Sequence, residues 1–234
     1  MTGEPSDEHL WLFRLRMPPR DREAAKRFSD LHQVHQLTMH AFPDGPGNTR
    51  EDHQVLWRAD THPDTSMTLL VQSRTRPDLS RLLVPASWAV DQPRPVSHQH
   101  LRDGDRIRFQ LRANPTKRSH QDRKRVGLNG PDAHLDWLLR HQIHDHGQAF
   151  TVDTDPYTGE PAVAIISEPD RPCRKGGRPF HFRSTTFSGT LTITDHNRFR
   201  RILEKGIGPA KAYGFGFLTT APLINRSGPL AVSQ

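Results

Sequence analysis

Gly206, Gly208, Gly214 and Gly216 punctuate the segment GIGPAKAYGFGFLTTAPL, which runs from a basic helix-like stretch, FRRILEK, into an apolar strand-like one. Glycines at this density mark backbone that must adopt positive φ or pass close to something a Cβ would strike. A nucleotide-binding loop is the obvious competitor. Loops of that kind lead from a strand into a helix and place the anion on the helix N-terminus. Here the helix comes first and the strand second, and the spacing is not G-x-G-x-x-G. The nucleotide-loop reading fails on polarity.

The rest of the chain reads as two passes of one pattern. His9–Met17 alternates apolar residues with Arg14 and Arg16, as a half-buried strand does. Ser29 or Asp30 can cap a helix running to about Ala41, with Leu31, Val34, Leu37 or Thr38, and Ala41 as its apolar stripe. The turn residues of Phe42–Gly47 stop it. Strands are expected at His53–Arg58 and Met67–Ser73, followed by a poorly periodic stretch at Asp78–Val90 that barely shows a second helix. The Pro-rich Gln92–Ser97 reads as a linker. The pattern then restarts with a strand at Asp105–Ala113 and a helix at Pro131–His141. Strands at Phe180–Phe187 and Thr190–Thr194, a helix at Asn197–Lys205 and a last strand at Gly214–Thr220 complete it. The expected fold is α+β, two tandem ferredoxin-like (RRM-like, βαββαβ) domains over residues 1–100 and 101–234.

Charge narrows the partner. Lys and Arg total 33 against 26 Asp and Glu, and only six are lysines (26, 117, 124, 175, 205 and 211). The planar arginine fork pairs bidentately with phosphate, so the bias favours nucleic acid over a membrane surface. Only 33% of the chain is hydrophobic, so part of it is expected to be polar loop ordered against a partner. The single cysteine, Cys173, rules out an internal disulfide and a thiolate zinc site. MTGEPSDEH has no basic region followed by an apolar core, and no apolar run nears the ~20 residues that span a bilayer. A cytoplasmic protein is expected.

Three segments carry a family likeness. GIGPAK with GFGFLTTAPL resembles the C-terminal glycine-rich motif of the CRISPR repeat-processing endoribonucleases, specifically their CasE form in type I-E Cascade. FQLRANPTK (109–117) is similar to the strand and turn opening that family's second domain, and DLHQVHQLTMHAFPDGP (30–46) to its first helix and turn. The likeness spans roughly Leu10 to Leu223. An RNA-recognition-motif signature also half-matches at Lys211, Tyr213, Gly214 and Phe215, with Ala212 and Gly216 departing from it. The resemblance implies two ferredoxin-like domains, cleavage of precursor CRISPR RNA at the base of the repeat hairpin, and retention of the mature crRNA among the other Cascade subunits. It implies no cofactor.

Metal-free RNA cleavage uses the substrate's own 2′-hydroxyl and needs a base, an acid and positive charge at the phosphorane. By resemblance the family's catalytic histidine falls on His35. Where the family commonly has a tyrosine three residues earlier, this chain has His32, one helical turn away and able to reach the same phosphate. In a chain with 15 histidines such a pair also arises by chance. H-x-x-H as a metal site lacks carboxylates at suitable spacing, so no metal is expected. Lys117, Arg118, Arg123, Lys124 and Arg125 form one cationic group; Arg174, Lys175 and Arg178 form another, where the family grips RNA near the cut. Either could be merely a solvated face. Lys211 and Arg112 lie in motif segments, where they contact RNA or pack their alkyl stems. The alternatives are a non-catalytic RNA-binding subunit of the same superfamily, or a DNA-binding protein, for which neither a helix-turn-helix nor a zinc signature is present.

Overall fold

The computed structural model describes residues 9–43, 49–119, 121 and 124–223. The chain is mixed α and β, built on antiparallel sheets. Its first half contains β1 (Leu10–Met17), α1 (Arg22–Phe28), α2 (Leu31–Met39), α3 (Thr49–Asp52), β2 (Leu56–Thr61), β3 (Met67–Ser73), a 3-10 turn at Leu79–Arg81, β4 (Ala89–Val90) and β5 (Arg94–Val96). The strands lie in the order β2-β3-β1-β4, with β5 also paired to β1. Alternation in β1 sends Phe13, Leu15 and Met17 into a core shared with Val34 and Leu37 of α2.

Four features differ from expectation here. A short helix, α1, precedes the expected one, with Asp21 capping it by accepting from Ala24 N at 2.9 Å. The strand placed at His53–Arg58 starts at Leu56, because Val55 N closes back on Arg50 O. Between Pro77 and Pro85 the expected second helix does not form: Asp78 caps only the 3-10 turn at Leu79–Arg81, and Pro85 cannot continue it. Finally, Gln92–Ser97 is no linker: Arg94–Val96 pairs with Leu10–Leu12, an edge position where proline is tolerated. The turn expected at Phe42–Gly47 lies mostly outside the described residues.

The second half contains β6 (Arg106–Ala113), β7 (Thr116–Arg118), β8 (Arg125–Gly127), α4 (Pro131–Arg140), β9 (Ile143–His144), β10 (Gly147–Gln148), β11 (Phe150–Val152), β12 (Val163–Lys175), β13 (Arg178–Ile193), α5 (His196–Lys205), a 3-10 turn at Lys211–Tyr213, and β14 (Leu218–Pro222). The main sheet runs β11-β13-β6-β14, with β12 along β13. The two strands expected at Phe180–Phe187 and Thr190–Thr194 are one 16-residue strand. Gly189 does not break it; a Cβ there would strike the Ala162 carbonyl, so the glycine lets a neighbouring strand approach. Its long partner β12 went unseen because Pro169 and Pro172 and a bulge between Glu168 and Arg171 erase its alternation.

The halves are interlocked. Cys173 and Phe215 from the second half are buried in the core of the first, with Phe180, Phe182 and Tyr213 packed against it. Gln72 Nε2 donates to Leu203 O at 2.8 Å and Arg58 Nη1 to Thr219 Oγ1 at 2.9 Å. Arg112 on β6 makes a two-pronged pair with Glu168 (2.9 and 3.2 Å), bonds the Ala59 carbonyl, and lies 3.1 Å from Asp60. It is thus a clamp between the halves. Among the described residues, no helix is long and apolar enough to cross a membrane.

Candidate active site

Asp30 organises the first wall of the site. Its carboxylate caps α2 by accepting from His32 N at 2.9 Å, and accepts from Arg174 N at 3.1 Å. One side chain therefore ties the helix that carries both histidines to the strand that carries the second cationic group. Val34, Leu37 and Thr38 face the core, which leaves His32 and His35 half-buried on the flank of the helix. Their ring centroids lie 6.3 Å apart, and Nδ1 of each is buried without a hydrogen-bond partner.

The second half supplies the other walls. β12 and β13 form a hairpin whose tip is Gly176-Gly177, both at positive φ, with Lys175 opposite Arg178 and Arg174 opposite Pro179. Arg174, Lys175 and Arg178 are all exposed there. The glycine-rich loop passes on another side, with Gly206, Gly208, Gly214 and Gly216 all at positive φ. Gly214 shows why: at φ 80° its Cα lies against the Trp57 ring of β2, where a Cβ has no room. Trp137 of α4 crowds Gly208 in the same way. What the loop approaches is the protein's own tryptophans, one from each half. So gripped, it presents Lys211, Ala212 and Tyr213, and the Tyr213 ring lies 6.1 Å from that of His35.

These walls set the site's charge. Burial, then the neighbouring His32, Arg50 and Lys175, push His35 down to about 4, while a contact with the Ala212 backbone acts the other way. Lys211 is likewise lowered, by burial and by Arg50 and Lys205, against the opposing Glu51. The Tyr213 phenol is raised by burial and by Cys173. At neutral pH the imidazole is a free base amid cations, a setting an incoming phosphate would relieve.

The structure gathers His32, His35, Lys175 and Lys211 at one place, with Arg174 and Arg178 on the same hairpin. Lys117 and Arg118 lie elsewhere, on the small β7–β8 hairpin, where Arg118 is exposed. Lys117 lines a cleft of about 380 Å³ with Arg125, Arg140, His141 and Gly208. A neighbouring cleft of about 480 Å³ shares Thr116, Arg125 and Pro209 with it and adds His181, Arg183 and Tyr213. Together they form a basic trough along the glycine-rich loop, leading to Tyr213. Arg123 lies outside the described residues. Arg112 packs in the inter-half clamp instead of facing this site. Sequence reasoning missed Arg50, which no motif marks, and Tyr213, which stood in the half-matched signature without a role. Among the described residues, no three His, Cys, Asp or Glu side chains gather as a metal site would require.

Comparison with known proteins gives a consistent result. The family described as "CRISPR associated protein" matches residues 10–222. The CRISPR-associated endoribonuclease Cse3 of Thermus thermophilus is 30% identical over 220 residues, 91% of this chain and all of that protein. The CRISPR system Cascade subunit CasE of Escherichia coli is 30% identical over 205 residues, covering 83% of this chain and 93% of the relative. The solved structure of Thermus thermophilus Cse3 bound to an RNA representing a pre-cleavage complex superposes with a TM-score of 0.76 at 30% identity, over 92% of this chain and all of that one.

Proposed function

The chain belongs to the CRISPR-associated family that includes Cse3 and CasE, and from that premise we propose that it is a metal-independent endoribonuclease that cuts precursor CRISPR RNA at the base of the repeat hairpin. Its two sheets, each ordered with the last strand beside the first, support a pair of tandem ferredoxin-like domains divided near residue 100. His35 draws the proton from the ribose 2′-hydroxyl, with His32 beside it as a second proton-handling group. The observation that carries this reading is geometric: the half-buried His35 imidazole, its Nδ1 without a partner, lies 6.3 Å from the His32 ring and 6.1 Å from that of Tyr213, where burial, Arg50 and Lys175 help to hold its pKa down. An incoming phosphate opposes those cations and raises the imidazole toward the range in which it is an effective base. The products are a 2′,3′-cyclic phosphate, or the phosphate from its opening, and a 5′-hydroxyl.

An A-form stem hides its bases in a deep narrow groove, so recognition rests on phosphates and shape. Arg174, Lys175 and Arg178 at the hairpin tip, Lys211 on the loop, and Lys117 and Arg118 beside the trough supply those contacts. The mature crRNA then stays bound within a Cascade assembly with its other subunits, in the cytoplasm.

The test is cleavage of the cognate repeat RNA in excess EDTA, beside an analogue with one 2′-deoxy sugar upstream of the scissile phosphate. The native RNA should be cut and the analogue should survive. The analogue should still bind, since one lost hydrogen bond costs about 0.5–1.5 kcal/mol. A 5′-phosphate product, or brisk cutting of the analogue, overturns the mechanism. Tight binding without any product would make the chain a non-catalytic RNA-binding subunit.

A further inference from the structure

We propose that Tyr213 is a further catalytic residue, whose phenol gives its proton to the departing 5′-oxygen while His35 takes one from the attacking 2′-hydroxyl. This rests on the reading of His35 above and goes beyond it. The helix offers a histidine, not a phenol, at position 32. The structure brings a phenol to His35 from the other half of the molecule, with the two rings 6.1 Å apart and tilted by 53°, about as near as His32 at 6.3 Å.

Three further observations converge on the same residue. The first is position: Tyr213 lines the basic cleft with Arg125, His181 and Arg183, so a phosphate backbone held there passes over it. The second is rigidity. Its ring packs against Phe182 at 4.9 Å and Phe180 at 6.1 Å, its N–H bonds Ala210 O at 2.9 Å, and the next residue is wedged on Trp57. A group fixed in this way keeps its aim through a reaction. The third is protonation. Burial moves the phenol upward, while burial and cations move the imidazole downward, so at neutral pH one is a donor and the other an acceptor. Two titratable groups driven apart by their surroundings are how acid and base assignments are recognised.

The step balances. The 2′-oxygen bonds to phosphorus as its proton passes to His35. The bond from phosphorus to the 5′-oxygen breaks, its electron pair stays on oxygen, and that oxygen takes the phenolic proton. The cyclic phosphate and 5′-hydroxyl depart, and solvent carries the proton from imidazolium back to phenolate.

Tyr213→Phe keeps the ring and deletes only the hydroxyl. Single-turnover cleavage should be measured on the repeat RNA and on the same RNA with sulfur in place of the bridging 5′-oxygen, a leaving group that needs no proton. Tyr213→Phe should slow the oxygen substrate by about 10²-fold with Kd within about twofold, and cut the sulfur substrate at the wild-type rate. His35→Ala should be slow on both. A wild-type rate for Tyr213→Phe on oxygen overturns the proposal, and so does equal slowing on both substrates, which would mark a purely positional ring. Unimpaired His35→Ala would instead overturn the His35 reading, a separate failure.

Discussion

Two groups of charged side chains join the halves of this protein, and they are built on opposite plans. Around Arg112 the cations meet carboxylates at close range, and the half-buried Arg171 beside them, lowered by burial and by Arg112, has Glu168 and Asp60 acting the other way. Asp60 takes Arg58 at 2.8 Å and Arg112 at 3.1 Å, and Glu168 takes Arg112 together with the hydroxyls of Ser184 and Thr186, both at 2.6 Å. Burial works to raise Glu168, yet Arg112 and the two hydroxyls outweigh it and hold the carboxyl low. Around His35 the cations Arg50, Lys175 and Lys211 meet, with Glu51 pairing Arg50 at 3.0 Å and the Asp30 carboxylate spent on two backbone N–H groups, and both His35 and Lys211 are driven toward their neutral forms. The first group is complete without a ligand and serves stability. Under the proposed function the second is completed by an anion and serves binding and chemistry.

Substitutions can break this contrast, and the largest effect should come from His35. His35→Ala should lower single-turnover cleavage by at least ~10²-fold while hairpin affinity stays near wild type. Equal cleavage by the variant would show that this cationic cluster does not mark the chemistry. Glu168→Gln belongs to the balanced group, and should cost about 2 kcal/mol in urea unfolding by leaving Arg112 partly unanswered. Unaltered stability would show the clamp to be ornamental. Neutralising Arg174, Lys175 and Arg178 together should weaken RNA binding and flatten the plot of log K against log salt, by up to roughly 0.9 unit per lost phosphate contact by analogy with duplex DNA. The same change removes Lys175 from the field at His35, so the imidazole should titrate above its present value of about 4, as histidine NMR would show.

The smallest effect is on stability against pH. Between pH 6.5 and about 4 an unfolded His35 takes up a proton that the folded one refuses, so stability present above 6.5 is lost as pH falls through that window. His98, also pushed to about 4 by burial, His100 and Arg200, adds to the same slope. His35→Asn should flatten part of the slope, and His35→Asn with His98→Asn more of it. An unchanged acid limb in chemical unfolding would count against both.

What the sequence revealed followed local rules. Asp30, the stripe from Leu31 to Thr38 and the alternation of β1 each lie within a few residues, and the helix and strand appeared where those rules put them. The glycines declared a close approach but not its object, because Trp57 and Trp137 lie far away in the chain. β12 stayed hidden for a related reason: SEPDRPCRK is a strand only because β13 lies beside it. The site was half legible. His35 and Lys175 came from motif likeness, whereas Tyr213 acquires a neighbour in His35 only once the halves interlock.

That interlocking has a consequence in time. Synthesis makes α2 with its histidines early, then the Lys175 hairpin, and only near the end the loop at Lys211–Tyr213. Contacts this distant in sequence close late, after the intervening chain has found its own structure. A chain still emerging from the ribosome therefore holds the His35 helix without its surrounding charge, and under the proposed function should be inert toward any RNA nearby. On that reading nuclease activity begins when the last glycine turn settles between its two tryptophans.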